Sequence, residues 1–117
     1  MVVGLIALSA AASALADNKP QCAMGATGLK CEKLLSATKE TDSPKSHIPM
    51  AMIAWMEGYV SAANIGLKQQ GQPRYDIVSM TLYEYWATIY GFCTRNPDKQ
   101  VMEVIPDIMG RLKREAL

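Results

Sequence analysis

Apolar residues recur along this chain at helical spacing, and no stretch alternates apolar with polar as a half-buried strand would, so the pattern predicts an all-α fold. The longest stripe runs through Ile48, Met52, Trp55, Met56, Tyr59, Val60, Ala63 and Leu67, steps of three and four that place them along one side of a helix. Asp42, Ser43 and Pro44 form a turn and capping cluster ahead of it, Ser46 is a second candidate cap, and Gly71-Gln72-Pro73 ends it. A second stripe, Val78, Leu82, Tyr85, Trp86, Ile89, Tyr90 and Cys93, predicts a helix that begins near Asp76 or Ser79. That helix must stop before Pro97, because the residue ahead of a proline avoids the helical region. Asn96 then reads as the N-cap and Pro97 as the first residue of a further helix, with Asp98 near its positive end. Along it lie Val101, Ile105, Ile108, Met109 and Leu112, and Pro106 should kink it or divide it into two short pieces. Arg111, Lys113 and Arg114 suit its negative C-terminal end. Residues 28–35 supply a short first helix with Leu34 and Leu35 available for packing, and residues 36–49 read as a polar surface loop with a cap. The expectation is a small single-domain bundle of about four helices.

Before these elements the chain reads MVVGLIALSAAASALAD, an apolar and small-residue run that stops at Asp17. It is short for a membrane span and rich in Ala and Ser. Ala14-Leu15-Ala16 fits the small-x-small rule of a secretory cleavage site, although no Lys or Arg precedes the run. We therefore expect residues 1–16 to be a removed signal peptide and residues 17–117 to be an exported domain; the periplasm as its compartment is what the family resemblance given below implies. No lipid anchor is expected at Cys22, which follows Asn-Lys-Pro-Gln rather than an apolar lipobox. Twelve basic against eleven acidic side chains leave a net charge of +1, without the basic excess that nucleic-acid binding requires.

Export also sets how the three cysteines are read, since an oxidising compartment turns paired thiols into bridges. Cys31 opens the first short helix and Cys93 closes the third. A bridge between them would join the two ends of the helical core around a loop of roughly sixty residues, for which the chain-entropy model gives about 4 kcal/mol. This is the preferred pairing, with Cys22 as a competitor for Cys31 or a link between two chains. A nucleophilic Cys93 would need a base, and the one histidine, His47, sits at a helix start beside a proline and reads as a solvated residue. Three widely spaced cysteines and one histidine make no zinc pattern, and no glycine-rich phosphate loop, nucleophile elbow or HExxH is present. Neither an enzyme nor a cofactor-binding protein is expected.

The segments GLKCEKLL, IAWMEGY and YGFCTRNPDKQVMEV, in that order and covering most of residues 17–117, resemble the HdeA/HdeB family of small periplasmic acid-stress chaperones. The likeness lies in a Cys-Glu start, a Trp-bearing central helix and a Cys-x-x-Asn-Pro ending; a longer spacing between Cys31 and Cys93, the extra Cys22 and Pro106 depart from it. The resemblance implies a helical domain, a Cys31–Cys93 bridge, and a homodimer at neutral pH that binds unfolded periplasmic proteins and prevents their aggregation in acid. Below about pH 4 the carboxylates protonate and leave the cations uncompensated, so self-repulsion loosens the packing while the bridge keeps the chain compact. Glu57, Glu84, Glu103 and Asp107 lie on or beside the stripes and are the candidate triggers. Met52, Trp55, Met56, Tyr59, Tyr85, Trp86 and Ile89, with Met50 at the edge, are the candidate client contacts, methionine being suited to partners of varied shape. Alternatively, Gly58-Tyr59-Val60 with the Asn-Pro step also resembles periplasmic immunity proteins. In that reading Trp55 or Trp86 would anchor one secreted effector enzyme at neutral pH.

Overall fold

Four α-helices carry the fold in a computed structural model that describes residues 28 and 30–115: α1 (Cys31–Ala37), α2 (His47–Gln69), α3 (Leu82–Arg95) and α4 (Ile105–Arg111). The proposed leader and Cys22 lie outside the described residues. α2 begins at His47, so the polar loop before it is shorter than expected. Ser46 occupies the N-cap position but makes no side-chain cap bond. The helix ends in a Schellman motif: the Gln72 N–H donates to the Leu67 carbonyl at 2.9 Å and the Gly71 N–H to the Lys68 carbonyl at 3.1 Å. Gly71 takes φ +67°, the left-handed conformation that lets the chain turn there.

The expected start of α3 at Asp76 or Ser79 is corrected. Residues 75–76 are a two-residue strand β1 and Ile77–Ser79 a 3-10 turn, after which Thr81 caps α3. Its Oγ1 accepts the Glu84 N–H at 3.1 Å, the side-chain N-cap bond, and its hydroxyl donates to Glu84 Oε1 at 3.2 Å. Val78, placed on the apolar stripe by periodicity, consequently lies outside the helix and is 86% exposed.

Asn96 and Pro97 do not start a helix. Asn96 closes α3, its Nδ2 donating to the Phe92 carbonyl at 2.9 Å and its N–H to the Cys93 carbonyl at 3.2 Å. The loop that follows lends its carbonyls to another element: the Cys31 N–H donates to Lys99 at 2.8 Å and the Glu32 N–H to Pro97 at 2.9 Å. Two of the donors that any helix leaves free at its start are thereby satisfied for α1, whose N-cap residue Lys30 has no capping side chain. The last stripe then starts as a 3-10 turn, Val101–Val104, and passes into α4 with Pro106 in its first turn. This is the division Pro106 predicts. The missing proline N–H costs nothing at a helix start.

After α4 a strand β2 (Lys113–Arg114) pairs antiparallel with β1, Tyr75 opposite Arg114 and Asp76 opposite Lys113. These two-residue strands and an isolated antiparallel bridge between Lys30 and Gln100 depart from a purely helical reading. Asn64 of α2 extends the ladder sideways: its Nδ2 donates to the Tyr75 carbonyl at 2.9 Å and its Oδ1 accepts the Tyr75 N–H at 2.8 Å.

One apolar cluster gathers the inner faces of all four helices. α1 contributes Cys31 and Leu34; α2 contributes Met52, Ile53, Met56 and Val60; α3 contributes Tyr85, Trp86, Ile89, Phe92 and Cys93; the last segment adds Val101, Val104, Ile105, Ile108 and Leu112. Ile53 and Pro49 widen the buried face of α2 beyond the expected stripe, while Tyr59 falls outside it at 45% exposed. Cys31 and Cys93 are bonded, with Cα atoms 4.8 Å apart, across the contact between α1 and α3. The fold is thus an all-α bundle stapled by one disulfide, and among the described residues no helix is long and apolar enough to cross a membrane.

Candidate functional site

The seven candidate contact residues divide into two groups by position. Met52, Met56, Tyr85, Trp86 and Ile89 meet in the interior. Trp86 is further held by its Nε1–H, which donates to the Lys39 carbonyl at 3.4 Å, and it meets Tyr90 edge-on with ring centroids 5.8 Å apart. Trp55 and Tyr59 lie instead on a flank of α2, one turn apart and stacked at 5.8 Å, with Trp55 half-buried and Tyr59 exposed. Met50 is half-buried near the start of the same helix. A partner meeting the closed molecule reaches the Trp55–Tyr59 pair; the other five become available only if helices separate.

The four candidate triggers occupy distinct places. Glu84 stands in the first turn of α3, its Oε1 accepting from the hydroxyl of the N-cap residue Thr81 at 3.2 Å. Glu103 Oε2 accepts the Gln100 N–H at 2.8 Å and so fastens the start of the Val101–Val104 turn. Asp107, in the first turn of α4, stands 3.9 Å from the Arg95 guanidinium, with both side chains substantially exposed. Glu57 is half-buried on the flank of α2 opposite Trp55, toward Tyr85. The Tyr85 hydroxyl donates to the Ile77 carbonyl at 2.7 Å. Burial, with smaller contributions from the Glu57 and Asp76 carboxylates, pushes its pKa up to about 12. Three of the four carboxylates therefore sit at helix or turn beginnings, where negative charge is favourable, and of these Glu103 also satisfies a free N–H.

Other chemistry is sparse. His47 is exposed in the first turn of α2. The Cys93 sulfur is committed to the bridge and fully buried. Among the described residues no group of three or more His, Cys, Asp or Glu side chains is disposed to hold a metal ion. Sequence reasoning did not single out Ile65 and Tyr83, which are 64% and 73% exposed. Periodicity assigns residues to a face; it does not say which faces remain uncovered. No family model, curated protein or solved structure matches the chain.

Proposed function

We propose that this chain is a periplasmic acid-stress chaperone that binds unfolded proteins and prevents their aggregation at low pH. The likeness of its three motifs to the HdeA/HdeB family supports the reading. So does a core in which Met52, Met56 and Met80 are buried among aromatic side chains. The observation that carries it is the placement of Glu84 and Glu103: each carboxylate is hydrogen-bonded at the beginning of an element that closes over the core. Acid removes the negative charge that favours such positions at the start of a helix or turn. It also leaves twelve Lys and Arg side chains and one His without counter-charge. α3 and α4 then loosen, the bridge holds α1 to α3, and the buried Met and aromatic side chains become contact surface. At neutral pH the closed chain is a homodimer in this reading, exported by its leader to the periplasm. The test is light scattering from an aggregation-prone periplasmic protein acidified with and without the oxidised chain. Equal scattering at several acid pH values overturns the proposal.

A second reading rests on the Trp55–Tyr59 pair, which is reachable without opening. An immunity or inhibitor protein that binds one secreted effector enzyme would use such a preorganised aromatic anchor. Circular dichroism and sedimentation across an acid titration separate the two. Loss of helix and of the dimer in acid supports the chaperone; an unchanged fold with one tight partner at neutral pH supports the inhibitor.

A further inference from the structure

A cleft of about 480 Å³ opens between α3, the turn before it and the chain after α4, and its lining includes Glu84, Ala87, Thr88, Arg95, Arg111 and Lys113. Three cations and one carboxylate therefore line a single depression in a chain whose net charge is only +1. Arg95 and Arg111 both lie in the last turns of their helices, where a basic residue ordinarily complements the negative end of the dipole. The Arg95 guanidinium lies back over its own helix, Nη1 3.3 Å from where a Cβ on Gly91 would stand. Glycine at 91 gives it room to lie there, facing the same depression as Arg111 and Lys113. Asp107 touches Arg95 at 3.9 Å, and among the described residues neither Arg111 nor Lys113 has an ion-pair partner. The polar groups of the floor and wall are already engaged: Thr88 Oγ1 donates to the Glu84 carbonyl at 2.7 Å and Ser79 Oγ accepts the Lys113 N–H at 3.0 Å. The side-chain donors of Arg111 and Lys113 remain for a ligand, and with them those of Arg95 that do not face Asp107.

The geometry points to an anion site for a phosphate monoester, with Arg95, Arg111 and Lys113 holding the phosphate oxygens and Glu84 facing the uncharged, hydroxylated part of the ligand. A monoester carries between about −1.5 and −2 at neutral pH, which answers the excess of cations better than a single carboxylate would. Guanidinium groups are suited to it because they donate two parallel hydrogen bonds to oxyanions. The volume exceeds that of phosphate alone and falls within the range of about 300–1,000 Å³ typical of small-molecule sites. The phosphate can come from a small soluble ester or from a lipid headgroup.

The test is calorimetric titration of the oxidised chain at neutral pH with glycerol 3-phosphate, inorganic phosphate and sulfate, together with sedimentation on vesicles containing phosphatidic acid. Binding of glycerol 3-phosphate in preference to sulfate, weakened at least about tenfold in a variant carrying R95Q and R111Q and strengthened in Glu84→Gln, is the expected result. All these positions are exposed, and circular dichroism checks that the variants keep their helices. Vesicle binding without the soluble ester assigns the lipid as the source, and the reverse assigns the soluble ester. No binding of either, equal binding of sulfate, or affinity unchanged in the double variant overturns the site.

Discussion

Replacing Tyr85 by phenylalanine should make the chain less stable at neutral pH and relatively more stable in alkali. The hydroxyl is buried, with the residue only 1% exposed, and it donates to the Ile77 carbonyl at 2.7 Å. Deleting that donor leaves a partly buried acceptor unpaired, a loss of about 1 kcal/mol near pH 7. The raised pKa reverses the sign at higher pH. An unfolded tyrosine ionises near 10.0, whereas the folded hydroxyl holds its proton to about 12. Above the first value the unfolded state therefore binds fewer protons than the native state, and stability falls as pH rises toward the second. By about pH 11 this linkage removes about 1.4 kcal/mol from the wild type and nothing from Tyr85→Phe. The two should have equal stability close to that pH, the variant being the stronger above it. Urea unfolding of both chains, followed by circular dichroism from about pH 7 to about pH 11, measures the gap; titration of the remaining tyrosines and lysines is common to both and cancels. A gap that stays constant across the alkaline range refutes the burial and carboxylate argument for Tyr85.

Three further outcomes follow from the packing. A Cys31→Ser, Cys93→Ser variant, in which a loop spanning 62 positions is no longer closed, should lose about 4 kcal/mol in urea unfolding relative to the oxidised chain. Ile108→Ala, at a fully buried site on the inner face of α4, should cost about 2–5 kcal/mol, seen as a lower denaturation midpoint with an unchanged urea slope. Asn64→Ala breaks both bonds to the Tyr75 backbone and should cost about 1–3 kcal/mol. Asn64→Asp should recover little of it, because a carboxylate cannot donate to the Tyr75 carbonyl, and thermal melts of the three chains give that order.

The helices were legible because burial repeats with the helix period: Met52, Met56 and Val60 on α2, and Tyr85, Ile89 and Cys93 on α3, all lie inside. Their ends were less so. Asn-Pro carries the chemistry of a helix start, yet asparagine can equally close the preceding helix, and here Asn96 bonds backward to Phe92. Which role it takes depends on α1 arriving to use the Pro97 and Lys99 carbonyls, a contact between positions more than sixty residues apart. The strands β1 and β2 were invisible because two residues cannot display alternation. The bridge was legible from the ends of the two helices it joins. The cleft was not: Arg111 and Lys113 read as ordinary basic residues near a helix end, Arg95 drew no reading, and only the fold puts the three side by side.

Where the bridge falls determines which part of the bundle is covalently held. The closed loop contains α1, α2, β1 and α3, whereas residues 96–115 hang outside it. That outer segment brings Val101, Val104, Ile105, Ile108 and Leu112 to the core, caps α1 at its near end and pairs β2 with β1 at its far end. Much of its polar fastening depends on ionised carboxylates. Glu103 holds the start of its first turn, Asp107 faces Arg95, and Glu115 accepts from Arg74 at 2.8 Å, so both ion pairs among the described residues engage this segment. Such exposed contacts are each worth at most about 1 kcal/mol, but acid removes all of them together while leaving the bridge and the apolar contacts of α1 with α3 unaffected. Under the proposed chaperone function, the molecule would not loosen evenly. The outer segment would lift first, uncovering the side of α3 it packs against, and α1 with the bridged end of α3 would remain as the template on which it closes again at neutral pH.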